Sequence, residues 1–408
     1  MVGIIRPRDL KSPMKALVML VCATALLLSF AASRSAGAQA PAPQVPPEGA
    51  RSRQAPAATP NATLVSPEVA VDGRVTFRLY APNAQQVVLH SEYNGMLPTT
   101  AVPLAKADNG VWSVTVGPID PGVYRYTYVV DGLLAIDTRN PDVSGSLNNV
   151  QSVFTVPGAD FLAMKPDVPH GSLETVWYHS ITLGDMRRMH VYLPPGYETG
   201  KERYPVLYLL HGAGDNDDAW TSVGHANFIV DNLLAAGKAR PMIVVMPAGH
   251  VNRSFSIAGI TNQDPFSNDF LKDLLPYVEK HYRVVADRPH RAIAGLSMGG
   301  LQTLDIALPH LDKFAYVGIF SSGWFNGSDV QFLREHGDAL DNAAWKKGLR
   351  VLFVGVGTGD QLAYPSSQRM VGILKAHGFR VEEHLSDGGH TWVNWRNYLN
   401  EFSPLLFQ

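Results

Sequence analysis

Beyond residue 61 the spacing of hydrophobic and polar positions changes once, between Pro157 and His170. Between Leu64 and Pro157 the apolar residues come in short runs, RVTFRLYAP, QQVVLHSEY, GVWSVTVGP, GVYRYTYVVDG and VQSVFTV, separated by Gly, Pro, Asn and Asp. Short β-rich runs bounded by turn residues predict an all-β sandwich. In Tyr124-Arg125-Tyr126-Thr127-Tyr128 the aromatics alternate, which places three tyrosines on one face of a strand. Their exposure on that face is the expected basis of sugar binding. From about His170 the runs become continuously apolar, as in YPVLYLLHG, MIVVMPAG, HRAIAGLS and LRVLFVGVG, and alternate with helical stretches such as Asn268–Lys280 and Pro365–His377. Buried strands alternating with helices predict an α/β domain with a parallel sheet covered on both faces.

The start of the chain follows neither pattern. Arg6, Arg8, Lys11 and Lys15 precede an apolar run from Ala16 to Ala32, and Ala38-Gln39-Ala40 offers small residues at a cleavage position. This is the three-part pattern of an export signal, too short and wrongly flanked for a membrane anchor. A Pro/Ala-rich tether without periodicity runs over 41–61. The expected organisation is therefore a signal peptide at 1–40, the tether at 41–61, a β-sandwich at 62–160 and an α/β domain at 161–408. Secretion or a periplasmic location follows from it, with no membrane association after cleavage.

Composition adds exclusions. Among 408 residues, 34 basic and 36 acidic side chains give a net charge of -2, with 46% hydrophobic residues, so the chain can bury substantial cores. The charge balance lacks the basic footprint of a nucleic-acid binder. Cys22 is the only cysteine and lies inside the export signal, which excludes an internal disulfide framework and a cysteine-based metal site.

The chemistry centres on Gly295-Leu296-Ser297-Met298-Gly299, a G-x-S-x-G pattern between an apolar strand and a helical stretch. A tight strand-to-helix turn lifts the serine hydroxyl above the sheet and aims free N–H groups at an oxyanion. A serine needs a base to take its proton and a carboxylate to orient that base. His390, in the loop SDGGHTWVNWR after a strand, fits the base, whereas His377 and His384 fall within a helix and a strand. Asp360 follows the buried strand VLFVGVGTG and is the expected acid, with Asp387 the alternative three residues before His390. The backbone N–H groups of Met298 and of Ala213, in the loop His211-Gly212-Ala213-Gly214, are the expected oxyanion donors. Trp220 and Trp392 flank these loops and are expected to line a sugar or phenolic pocket, or else to pack beneath them. Asn252 and Arg253 lie in a loop that either faces the site or is simply exposed.

Together, RMHVYLPPGYE, YPVLYLLHGAGDNDDAW, FSNDFLKDLLPYVEKHYRV, AGLSMGG and GGHTWVNWR resemble the esterase D-like group that includes carbohydrate esterase family 1. The resemblance spans about 171–400. It implies an α/β-hydrolase fold and cofactor-free, metal-free hydrolysis through Ser297, His390 and Asp360, with Ala213 and Met298 as oxyanion donors. FRLYAPNAQQVVL, GVYRYTYVVDG and DTRNP in the sandwich resemble early-set immunoglobulin-like modules related to carbohydrate-binding module family 48. Feruloyl esterases and enterochelin esterases of this group both carry an N-terminal β domain. The export signal favours the former, acting on a feruloylated or acetylated polysaccharide outside the cell. Acetylxylan esterase or enterochelin esterase chemistry, acyl transfer, and sugar binding by an inactive hydrolase scaffold are the alternatives.

Overall fold

The computed structural model describes residues 59–94, 101–254, 265–325 and 329–408. The segment expected to be an export signal, 1–40, and nearly all of the expected tether at 41–61 lie outside the described residues; Pro60–Ala62, where the expected tether meets the sandwich, forms one 3-10 turn.

The short runs of the first half form two antiparallel sheets. One places Val75–Tyr80 and Val111–Val116 at its centre, and the other places Val87–Ser91, Gly122–Val130 and Val150–Val156 side by side. Alternation sends Val75, Phe77, Val87, Leu89, Phe154 and Val156 into a shared core, as a half-buried pleated surface requires. This is the expected early-set sandwich.

The three tyrosines do share a face, but it is the core face. Tyr124 is 5% exposed, and Tyr126 and Tyr128 are fully buried. Tyr126 packs on Phe77 with ring centroids 4.8 Å apart, and its hydroxyl donates to Asp137 Oδ2 at 2.9 Å. The expectation of an exposed tyrosine surface is therefore corrected. The physical reason is that Gly122–Val130 is buried on both sides along most of its length. Its opposite face, with Val123 and Arg125, lies against the α/β domain rather than water: Val123 belongs to that domain's core.

The second half forms an eight-stranded sheet in the order Ser172–Ser180, Asp185–Leu193, Ile243–Pro247, Val206–Leu210, Arg291–Leu296, Tyr316–Phe320, Val351–Gly357 and Glu382–Ser386. Asp185–Leu193 pairs antiparallel with both neighbours, and the strands from Ile243–Pro247 onward pair in parallel. Two apolar layers cover it. Tyr208, Leu210, Ile293 and Val354 face Phe270, Leu301 and Leu374 on one side; Leu207, Leu209, Ala294 and Phe353 face Trp220, Ile229, Tyr398 and Phe402 on the other. A sheet buried on both faces explains why its strands read as unbroken apolar runs. The fold is that of an α/β-hydrolase.

The helix expected at Asn268–Lys280 extends from Pro265 to His281 and contains a π turn at Phe270–Leu274. Pro276 lacks an N–H and crowds the carbonyl four residues earlier, so the ladder loosens just before it. The helix expected at Pro365–His377 is Tyr364–Ala376.

Candidate active site

Ser297 stands between the strand Arg291–Leu296 and the helix Met298–Ala307, with φ 50° and ψ -115°. Few non-glycine residues accept that backbone, and the turn persists because its surroundings leave no alternative. A Cβ on Gly295 would collide with the Gly299 carbonyl, and one on Gly299 would stand 2.5 Å from the His211 carbonyl oxygen. Strand, helix and the loop after Val206–Leu210 therefore meet at the elbow with hydrogen atoms as the only spacers.

His390 reaches the serine from the loop after Glu382–Ser386. Its Nε2 lies 2.9 Å from Ser297 Oγ, and its Nδ1 lies 2.8 Å from Asp360 Oδ2. Asp360 is buried just past the strand Val351–Gly357, and its Oδ1 accepts the backbone N–H groups of Leu362 and Ala363 at 3.2 and 2.8 Å. The carboxylate is thus fixed on both oxygens. Asp387 is exposed, and the geometry joins His390 to Asp360 instead. His377 ends the helix Tyr364–Ala376, and His384 stacks on Phe353.

The loop His211–Asp215 closes the other side. A Cβ on Gly212 would stand 3.5 Å from Ser297 Cβ, so the loop that contains Ala213 passes beside the serine. Met298 is the first residue of its helix, where a backbone N–H has no intrahelical acceptor. His211 holds loops together: Gly249 N–H donates to its Nε2 at 2.8 Å, so Nδ1 carries the proton and donates to Gly212 O at 2.8 Å. Burial holds its imidazole below the usual histidine range. His250, whose Nε2 accepts Gly214 N–H at 3.1 Å, is pushed down to about 3 by burial and then by neighbouring His211 and Arg187.

Trp220 and Trp392 do not line an open pocket. They are 1% and 3% exposed, stack edge-on at 5.2 Å and belong to the core under the loops. Of the two roles expected of them, their burial favours packing beneath the loops over contact with substrate. Asn252 and Arg253 are exposed.

Several residues beyond the sequence reading support the site. Asn394 Nδ2 donates to Ser386 Oγ at 2.9 Å and to Asp387 O at 2.7 Å, while its Oδ1 accepts from Thr391 Oγ1 at 2.8 Å. It ties both ends of the His390 loop to the helix Trp392–Phe402. Its place one helical turn after His390 was the available signal. Ser322 Oγ donates to Ser297 O at 2.7 Å, and Gln302 Nε2 donates to Gly249 O at 3.0 Å. Nothing in the local sequence marks either.

The putative esterase family matches residues 180–406, more than half of the chain and the whole of this site. The chain belongs to that family. Residues 64–137 match carbohydrate-binding module 48, the isoamylase N-terminal domain. Among curated relatives of this esterase chain is an endo-1,4-beta-xylanase/feruloyl esterase of Xylanibacter ruminicola. It is 35% identical over 351 residues, covering 84% of this chain and 46% of the relative. The chain spans less than half the length of the curated relatives it first matches. Among solved structures, the feruloyl esterase module from Clostridium thermocellum, complexed with sinapinate, is 25% identical. It covers 62% of this chain and 93% of its own, with a TM-score of 0.54. The enterobactin esterase from Shigella flexneri shares the fold at 18% identity and a TM-score of 0.59, over 81% of this chain and 92% of its own.

Proposed function

We propose that the chain is a secreted serine carboxylester hydrolase acting on plant cell-wall esters, releasing ferulate or another hydroxycinnamate from arabinoxylan. The observation that carries this reading is the unbroken relay from Ser297 Oγ through His390 to Asp360, at 2.9 and 2.8 Å. In it Ser297 Oγ attacks the ester carbonyl while His390 Nε2 takes its proton and Asp360 stabilises the imidazolium. The carbonyl oxygen, now an oxyanion, is held by the N–H groups of Ala213 and Met298. His390 then protonates the sugar's ester oxygen as its bond to the carbonyl carbon breaks, so the sugar leaves as a free hydroxyl and an acyl-serine remains. Water, deprotonated by His390, attacks that ester, and the acid leaves as Ser297 regains its proton.

The substrate class rests on the feruloyl esterases among the relatives, one of which also carries xylanase in its name. That relative's similarity runs through most of this chain. Secretion rests on the sequence of residues 1–40. The enterobactin esterase shares only the fold at its level of identity.

Turnover of methyl ferulate, acetylated xylan and ferric enterobactin by the purified chain tests the reading. Hydrolysis of methyl ferulate with a higher kcat/KM than either competitor, abolished in Ser297→Ala, is the expected result. Preference for either competitor would replace the substrate, and full activity of Ser297→Ala would remove the mechanism.

A further inference from the structure

The face of Gly122–Val130 turned away from the sandwich core carries a cation into the esterase domain. Arg125 Nη1 lies 2.6 Å from Asp215 Oδ1 and 3.6 Å from Glu92 Oε1, with the Arg125 and Asp215 side chains only 3% and 5% exposed. Its Nε donates to Ser144 Oγ at 2.9 Å, and Ser222 Oγ donates to the same oxygen at 2.7 Å. The guanidinium carbon also stands 5.6 Å from the centre of the Trp392 ring.

Both partners border the catalytic machinery. Asp215 ends the loop His211–Asp215, and its N–H donates to Gly212 O at 3.2 Å. The neighbouring Gly214 O accepts Leu147 N–H, also from the sandwich, at 2.8 Å. Trp392 is two residues after His390 and packs on Trp395 at 5.2 Å, and Trp395 meets the His390 ring edge-on at 5.0 Å. One guanidinium therefore touches the supports of the oxyanion loop and of the catalytic base. A buried ion pair is weak evidence for stability, because desolvating both charges offsets their attraction. A planar fork that fixes two loops at once is better suited to geometry.

We propose that Arg125 is a positioning residue for ester hydrolysis, by which the sandwich sets the relative placement of the oxyanion loop and the His390 loop. The proposal rests on the serine mechanism above and adds that the sandwich participates in turnover of substrates too small to need recruitment.

Methyl ferulate kinetics and melting curves test it on the full chain. Arg125→Met alone strands the Asp215 carboxylate. The informative variants are therefore Arg125→Lys, Asp215→Asn, and Arg125→Met with Asp215→Leu, which removes that pair together and leaves Glu92, its pKa already raised by burial, to take a proton. The double variant is expected to stay folded and to lose about 10- to 100-fold in kcat, the scale of a small misplacement at a catalytic site. KM should change less than about threefold, since substrate contacts remain. Arg125→Lys, which keeps the charge without the fork, should recover part of the loss. Wild-type kcat in a folded double variant, or a fall confined to KM or melting temperature, would overturn the proposal. Unfolding of all three variants would overturn it too, reducing the pair to a structural staple. Ser297→Ala, measured alongside, separates this failure from that of the serine mechanism: full activity there sinks the mechanism, whereas an inactive Ser297→Ala beside a fully active double variant sinks only the role of Arg125.

Discussion

Asp360 and His390 are thirty residues apart in the chain and 2.8 Å apart in the fold, with Asp360 Oδ2 against His390 Nδ1. The two residues end or follow adjacent parallel strands, Val351–Gly357 and Glu382–Ser386, so the sheet rather than the local chain brings them together. Gly359 N–H donates to Gly388 O at 2.9 Å and locks the two loops side by side.

Replacing Asp360 by asparagine should lower kcat on methyl ferulate by about 10³–10⁴-fold, because an amide offers His390 Nδ1 a donor or a neutral acceptor and disturbs the tautomer. Asp387→Asn should change kcat less than about threefold, since its exposed side chain has no part in the relay. Steady-state kinetics of the pair decides the matter, and a larger loss at Asp387 would reassign the acid.

Ser297 holds a strained backbone, and glycine would occupy φ 50° and ψ -115° without the Cβ penalty. Ser297→Gly should therefore abolish turnover while adding about 1 kcal/mol of stability, seen as a melting temperature about 2–4 °C higher. A lower melting temperature than that of the wild type would mean that the hydroxyl contributes more to the fold than the strain costs.

The juxtaposition of Ser297, His390 and Asp360 was legible because each follows the end of an apolar strand, and chain order plus strand grammar then limits the choices. The sheet was legible for the same reason: a strand buried on both faces leaves an uninterrupted apolar run, as in Val206–Leu210. Burial between domains was not. Tyr124, Tyr126 and Tyr128 alternate as residues on a half-exposed strand would, with Arg125 on the other face. An arginine reads as solvent-facing until its counter-ion is known, and Asp215 lies 90 residues later. Trp220 and Trp392 were similarly ambiguous, because aromatics beside catalytic loops serve equally well as pocket walls or as packing. Asn394, Ser322 and Gln302 act through hydrogen bonds to distant backbone, which carry no periodic signature.

Acid should destabilise the protein through its buried neutral histidines. His250 has its folded value lowered to about 3, far below the ordinary 6.5, because burial penalises its charged form. Between those values the unfolded chain binds more protons than the folded one at this residue. Its contribution to stability is therefore complete above about pH 6.5 and is lost as the pH falls towards 3. His211, also lowered by burial, acts in the same direction. Melting temperature should fall from pH 6.5 downward, and His250→Asn should flatten that dependence even if it lowers stability at pH 7. An unchanged slope in the variant would place the acid sensitivity elsewhere.

If the sandwich only delivered the enzyme to polymer, deleting residues 59–160 would spare hydrolysis of methyl ferulate and lower ferulate release from arabinoxylan, since a second weak site raises effective concentration without altering chemistry. The interface argues for the other outcome. Val123 and Val153 belong to the same core as Trp220, Trp392 and Trp395. Arg396 Nη1 donates to Val123 O and Val223 O at 2.9 Å each, so the deletion removes one acceptor from a buried guanidinium in the helix that follows His390. Burial already pushes Arg396 down to about 10. Exposing that core and removing Arg125 from Asp215 should lower the melting temperature and reduce kcat on both substrates together. Retention of methyl ferulate turnover with a selective loss on arabinoxylan would restore recruitment as the module's role.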